Sequence, residues 1–257
     1  MAKRIVTKIG DVFCVEVDGK WKGYFQYIAN DQSCMNSSTI RIFKKKYPVD
    51  DSPAIDDIVR DEVLFYAHTV LKFGIQDGVW SKVGKSNELG LAGLHNLYFG
   101  LADEEDANLN PIDPLKNWRI WKVNENWIYI GELDEHIIPL VEYGAIFPWK
   151  LINQRIKLGY NSLCIPEYEV LPRIPREDAD IYFRLLVGND NLYYHFVGEN
   201  AIQWVVTVDN VLHRYCIENP GNEKYWLNWE KLWNTKWDYR QYISEEEFNS
   251  IWENCES

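Results

Sequence analysis

Five histidines, His68, His95, His136, His195 and His213, and five cysteines, Cys14, Cys34, Cys164, Cys216 and Cys255, are the side chains with which this 257-residue chain could bind a metal or attack a substrate. A zinc site needs such residues in close pairs on one turn or strand. No HxH, HExxH or CxxC occurs, and no histidine stands beside a cysteine at ligand spacing. Asp134-Glu135-His136 puts three donors in a row, but acids at the start of a helix are explained more cheaply by the helix dipole. Cys164 and His195 would form a nucleophile–base pair only if the fold joined them, and the apolar run around Cys164 reads as a site for an inert thiol. No GxSxG, P-loop or GxGxxG motif is present, so none of the phosphate cradles or nucleophile elbows that those spacings build is encoded. Among 39 carboxylates some pair will always resemble a glycosidase dyad. The clusters Asp56-Asp57 and Glu104-Glu105-Asp106 read instead as a solvated helix face and a solvated loop. The sequence therefore predicts no catalytic, cofactor-binding or metal-binding residue and a protein that is not an enzyme.

One aromatic pattern remains. Trp226, Trp229, Trp233 and Trp237 follow one another at spacings of three, four and four, which places them on one face of a helix. Such a stripe could stack on sugar rings, which would make the chain a carbohydrate-binding module. The alternative is that each ring, with its large apolar area, buries against a neighbouring sheet.

The elements that would position these residues are read from composition and period. The chain holds 12 Trp, 16 Tyr and 10 Phe, side chains suited to pleated, half-buried surfaces. In "KIGDVFCVEVDGKWKGYFQYI", residues 8–28, Phe13, Val15 and Val17 alternate on one face and Trp21, Phe25 and Tyr27 on another. Asp18-Gly19 between them predicts a hairpin, since a type I′ turn needs positive φ at both central positions. The apolar face reads as a wall of the core, leaving the polar face, rim and turn for recognition. A strand is expected at 38–43, and a short helix at "SPAIDDIVRD" with Ser52 as N-cap and Pro53 at N1. Residues 62–74 read as a strand or a continuing helix, 78–85 as a strand, and 100–117 as a polar loop. A second hairpin should turn at Asn124-Glu125-Asn126. Two short helices are expected in "DEHIIPLVEYG" and "FPWKLINQRIKLG", with Gly144 and Gly159 as C-caps and Pro148 near N1. Residues 160–180 hold three prolines and no period. Beyond them four short strands with turn residues between predict an antiparallel meander, and Ser244 with Glu247 marks a capping box opening the last helix, with Ile243 and Phe248 placed as a hydrophobic staple. The fold class read here is α+β and β-rich: antiparallel sheets, the N-terminal one a twisted sheet or partial barrel and the C-terminal one the meander, with short packed helices. Two domains are expected, 1–165 and 166–257.

Charge bounds the partners. The formal balance is −12, and residues 1–50 carry nine basic against five acidic side chains, so residues 51–257 carry −16. That argues against nucleic acid, which needs clustered Lys and Arg, and suits a basic partner. The odd, widely spaced cysteines predict no disulfide framework. No apolar leader segment and no run long enough to span a bilayer is read, so the expected setting is the cytoplasm, with no membrane partner and no cofactor.

Residues 8–28, with Gly10-Asp11 ahead of an apolar strand, resemble the opening of the immunity proteins of bacterial polymorphic toxin systems, in the family numbered twenty-six. "FYAHTVLKFGIQDGVWSKVGK" is similar to that family's middle section, with Trp80 and Gly84 near an expected Trp and Gly, and "IGELDEHIIPLVEYGAI" followed by "INQRIKLGY" to its closing segment. The likeness covers about residues 8–160 and leaves 161–257 outside it. It implies a β-rich cytoplasmic protein that binds and neutralises a cognate toxin, by occlusion and without catalysis; many such toxins are basic nucleases. An acidic surface would speed encounter with one by roughly 10–10³-fold at low salt, an advantage that salt screens. On charge and loop character, Asp103, Glu104, Glu105 and Asp106 are the expected contact residues. Gly10, Asp11, Trp80 and Gly84 are expected to be structural, the first two shaping the lead into the first strand and Trp80 packing the barrel or sheet.

Overall fold

The computed structural model describes residues 5–106, 108–113, 116–159, 177–187, 190–208, 211–221 and 241–255. The tryptophan stripe at 226–237, Cys164, the turn residues Gly188, Asn189, Asp209 and Asn210 and most of the Pro-bearing 160–180 stretch lie outside them. The chain divides into two compact units, with the change-over between Ile156 and Cys164.

The first unit opens with β1 (Asp11–Val17), β2 (Trp21–Asp31), β3 (Ser37–Phe43), β4 (Tyr47–Pro48), α1 (Ile55–Val59), β5 (Val63–Thr69), α2 (Leu71–Gln76), β6 (Trp80–Lys85) and α3 (Leu91–His95). It continues with β7 (Tyr98–Ala102), β8 (Trp118–Trp121), β9 (Ile128–Gly131), β10 (Val141–Tyr143), β11 (Ile146–Phe147) and α4 (Trp149–Leu158). Seven strands form one open sheet in the order β11-β5-β3-β2-β1-β6, with β4 added to β2. The two ends do not meet, so this is a sheet and not a barrel. The order β10-β7-β8-β9 makes a second sheet. β10 runs parallel to β7 and β11 parallel to β5.

The β1–β2 turn has Asp18 at φ 51° and Gly19 at φ 65°, the positive values a type I′ turn demands. On one face of the sheet Phe13, Val15, Val17, Phe25, Ile40, Ile42 and Phe65 pack with Trp80, Ile152 and Ile156. The opposite face of the hairpin is not free for recognition: Val12, Cys14 and Tyr24 are covered by Tyr47, Ile58 and Val59. The opening hairpin is thus a wall on both sides.

Several expected boundaries move. The first helix starts at Ile55, and Ala54, without a side-chain oxygen, takes the N-cap position in place of Ser52. Residues 62–74 split into β5 and α2. Residues 98–102 are strand, which shortens the loop to 103–117. The helix expected over 134–144 is a 3₁₀ turn, Ile138–Leu140, followed by β10. There Asp134 Oδ1 draws the N–H groups of His136 (2.8 Å) and Ile137 (3.0 Å) into a local turn, and the β-branched Val141 pairs with Tyr98. Gly144 caps no helix; it lies flat under Trp121, where a Cβ would come within 2.1 Å of the indole.

In the second unit β12 (Asp180–Val187), β13 (Asp190–Val197), β14 (Asn200–Val208) and β15 (Val211–Cys216) form an antiparallel meander in sequence order. Helix α5 (Glu245–Glu253) starts where Ser244 Oγ accepts the Glu247 N–H at 3.0 Å, and its Phe248 is fully buried. Among the described residues no helix is long and apolar enough to cross a membrane.

Candidate protein-binding surface

The β8–β9 hairpin projects from the second sheet and is fastened at its tip. Asn124, at φ 65°, makes the turn. Its Oδ1 accepts the Gln32 N–H at 2.9 Å, and the Glu125 carbonyl accepts the Ser33 hydroxyl at 2.9 Å and the Cys34 thiol at 3.3 Å. Behind the tip lies a cleft of about 860 Å³ whose apolar floor includes Ile28, Leu89, Leu94 and Val123 and whose rim includes His95, Lys122 and Glu125. Lys122 Nζ donates to the His95 carbonyl at 2.9 Å and lies over the Tyr98 ring.

In front of the tip the chain exposes Trp127, Ile128 and Tyr129 by 52, 56 and 57 %. β9 is the last strand of its sheet. Arg119, opposite Tyr129 in register, sets its guanidinium 5.4 Å over the Trp127 ring and pairs through Nη2 with Asp103 Oδ1. The Tyr129 hydroxyl donates to Asn117 Oδ1. Strand pattern alone does not mark this surface, because Trp127–Ile130 reads as part of a strand. A signal was present: four large apolar residues in a row cannot alternate, so a strand buried on one face must show some of them to water.

Of the four expected contact residues, two are built into the loop. Asp103 carries the Arg119 ion pair. Asp106 Oδ1 accepts the N–H groups of Asn108 (2.8 Å) and Asn110 (2.9 Å), and its carboxylate also binds the Asn110 amide. These bonds, the Asn110 side chain first, hold Asp106 below its usual range. Glu104 and Glu105 are exposed.

Gly10, Asp11, Trp80 and Gly84 lie in the seven-stranded sheet. Gly10 has φ 97°, and a Cβ there would fall 2.5 Å from the Ser86 carbonyl oxygen. Asp11 is fully buried; its Oδ2 accepts the Lys8 N–H at 2.9 Å and its Oδ1 pairs with Lys82 Nζ at 2.6 Å. Trp80 is buried in the core with its indole N–H on Asn153 Oδ1 at 2.7 Å. Gly84 makes room for Ile55, which a Cβ would approach to 2.5 Å.

Two histidine–carboxylate pairs were invisible in the sequence because their members are far apart in it. His68 Nε2 stands 3.3 Å from Asp31 Oδ2, both side chains wholly removed from solvent. Burial works against ionisation of Asp31, but His68, the Cys34 N–H and the Trp121 indole N–H outweigh it and hold the carboxyl well below its usual range. Phe99 covers the imidazole, with ring centres 4.1 Å apart, so this pair is placed to brace the fold. In the second unit His195 Nε2 meets Asp180 Oδ1 at 3.0 Å and Nδ1 meets Gln203 Oε1 at 2.7 Å, with Tyr182 stacked on the ring. That imidazole ties β12, β13 and β14 together. Among the described residues no group of three or more His, Cys, Asp or Glu side chains is arranged to hold a metal ion.

Comparison of the chain with protein-family models, with curated proteins and with solved structures finds no match.

Proposed function

We propose that this chain is a non-enzymatic binding protein that neutralises a basic protein toxin by occlusion, as an immunity protein does. The observation that carries the reading is the exposed Trp127-Ile128-Tyr129 patch set in an acidic neighbourhood. Residues 96–146 hold ten Asp and Glu against three Lys and Arg, a net of −7, more than half of the charge of the whole chain. Aromatic anchors ringed by charge are the usual centre of a protein interface. The acidic ring steers a basic partner, and the anchors hold it. The sequence resemblance over residues 8–160 points to the same class. A sugar-binding reading would use the same Trp127 and Tyr129, but Arg119 already occupies one face of the Trp127 ring, which favours a protein partner.

The test is to co-express the chain with candidate basic toxin domains, and to follow cell survival and co-purification. Survival is expected, with a complex whose association slows as salt rises. The double variant Trp127→Ala/Tyr129→Ala should weaken the complex at least about tenfold, the loss of one or two anchor residues. Cell death with no complex recovered would end the proposal.

A further inference from the structure

The geometry points to the mode of binding: we infer that the partner completes the second sheet by adding an extended, basic strand along the free edge of β9. The identity of the partner rests on the function proposed above; the mode of docking does not.

The argument begins with how the sheets of the first unit end. A sheet edge offers a row of unpaired backbone donors and acceptors, and natural proteins blunt such edges with lysine, proline, bulges or cover. The β6 edge of the large sheet follows this practice. It exposes Lys82 and Lys85, and its pairing with β1 is interrupted by a bulge at Val12/Phe13. The opposite edge, β11, is two residues long, and β10 at the far side of the second sheet is three. β9 is four residues long and its pairing with β8 shifts register at Trp118/Arg119, but it carries neither lysine nor proline. The run from Trp127 to Ile130 contains no charge and no proline, Trp127, Ile128 and Tyr129 stand in solvent, and no strand lies beyond β9 among the described residues. An edge so composed is a template for pairing.

Charge selects the occupant. A second copy of the chain would bring two acidic regions together, and like charges facing one another oppose association. An incoming strand that alternates Lys or Arg with apolar residues meets both features. Its apolar side chains cover the exposed Ile128 and Tyr129, and its basic ones meet an acidic neighbourhood in which the exposed Glu132 directly follows β9. At about 3.3 Å per residue, the four residues of β9 pair with a segment of about four to six residues.

The experiment is amide hydrogen exchange on the full chain with a seven-residue peptide alternating Lys and Val, and with its Glu/Val counterpart. Exchange at residues 127–130 should slow at least about fivefold with the basic peptide at low salt and stay unchanged with the acidic one, while the β6 amides do not respond. No slowing with the Lys/Val peptide, equal slowing with both peptides, or slowing that grows with protein concentration alone would overturn strand addition. The two readings fail separately. A toxin that binds while 127–130 exchange freely refutes strand addition and leaves neutralisation standing. Strand protection by the peptide with no rescue from any toxin does the reverse.

Discussion

The first unit contains two regions in which the ordinary placement of side chains is reversed. On one side of the large sheet Gln26, Asp31, Thr39, Arg41 and His68 are buried where apolar residues are usual. At the start of β9 Trp127, Ile128 and Tyr129 stand in water. The buried group is bound to particular atoms of other segments. Gln26 Nε2 donates to the carbonyls of Gly10 (3.3 Å) and Ser86 (3.1 Å), and Arg41 donates to Gln26 Oε1 (2.9 Å) and the Glu88 carbonyl (2.7 Å). Asp31 accepts from Trp121 at 3.0 Å. Directional bonds of this kind fix one docking of residues 86–95 and of the second sheet, where apolar contact alone would tolerate sliding. Gly90 permits the closeness: a Cβ there would sit 1.9 Å from Arg41 Nη1, and its φ of 59° suits glycine. The buried polar group therefore serves the fold, and the exposed apolar group is left for a partner. If so, substitutions in the first should be costly to stability and substitutions in the second nearly silent.

The largest effect is expected at Asp31. Asp31→Ala removes the acceptor of the Trp121 indole, the Ser33 and Cys34 N–H groups and the Ser33 hydroxyl, and leaves His68 buried without its carboxylate. Leaving several buried donors without their acceptor costs about 3–5 kcal/mol, measured as a fall in the urea midpoint. Because the folded protein holds Asp31 below the ordinary carboxylate range, its contribution is present at neutral pH and lost on acidification. A loss under about 1 kcal/mol would mean that the polar stripe is incidental to stability.

A smaller, pH-dependent effect belongs to Glu142 on β10. Burial pushes its carboxyl from its ordinary 4.5 up to about 8, against the opposing influence of the Tyr66 N–H and of Arg155. The carboxyl accepts that N–H at 3.0 Å. Between these two pH values the folded chain keeps a proton that the unfolded chain has released, so stability falls as pH rises through the window and levels off above about 8. Glu142→Gln keeps an acceptor for Tyr66 and removes the titration. Thermal unfolding from pH 5 to 9 should show the wild-type chain losing about 1–3 kcal/mol that the variant retains. Parallel curves would show that Glu142 titrates normally.

How far the sequence discloses this comparison depends on the range of the interactions. Local signals read well: Asp18-Gly19 gave its turn, the alternation of Phe13, Val15 and Val17 gave a buried face, and Ser244 with Glu247 gave the last helix start. The polar stripe is a product of pairing. Asp31 and His68 lie at the ends of strands that only the β2-β3-β5 order brings together, and nothing within either segment signals the other. Likewise, a period-2 reading tests one strand at a time. It cannot say that α1 covers Val12, Cys14 and Tyr24, or that β9 lacks a neighbour. The acidic loop was legible as charge, yet Asp103 and Asp106 are spent on Arg119 and on the loop's own backbone, which only the three-dimensional arrangement reveals.

The smallest stability effect, and the sharpest contrast with Asp31, is expected at Ile128. Its side chain is more than half exposed, so Ile128→Lys forfeits little buried apolar area, and its stability should shift by no more than about 0.5 kcal/mol. The same change places a lysine on the free edge, the device by which β6 is protected. It also sets a positive charge against the basic strand proposed to dock there. Urea unfolding of the variant should overlay that of the wild type, while slowing of exchange at 127–130 by the Lys/Val peptide disappears. A destabilisation approaching that of Asp31→Ala would show that Ile128 supports the fold, and the division between a polar group that holds the molecule together and an apolar one that faces outward would fail at its simpler end.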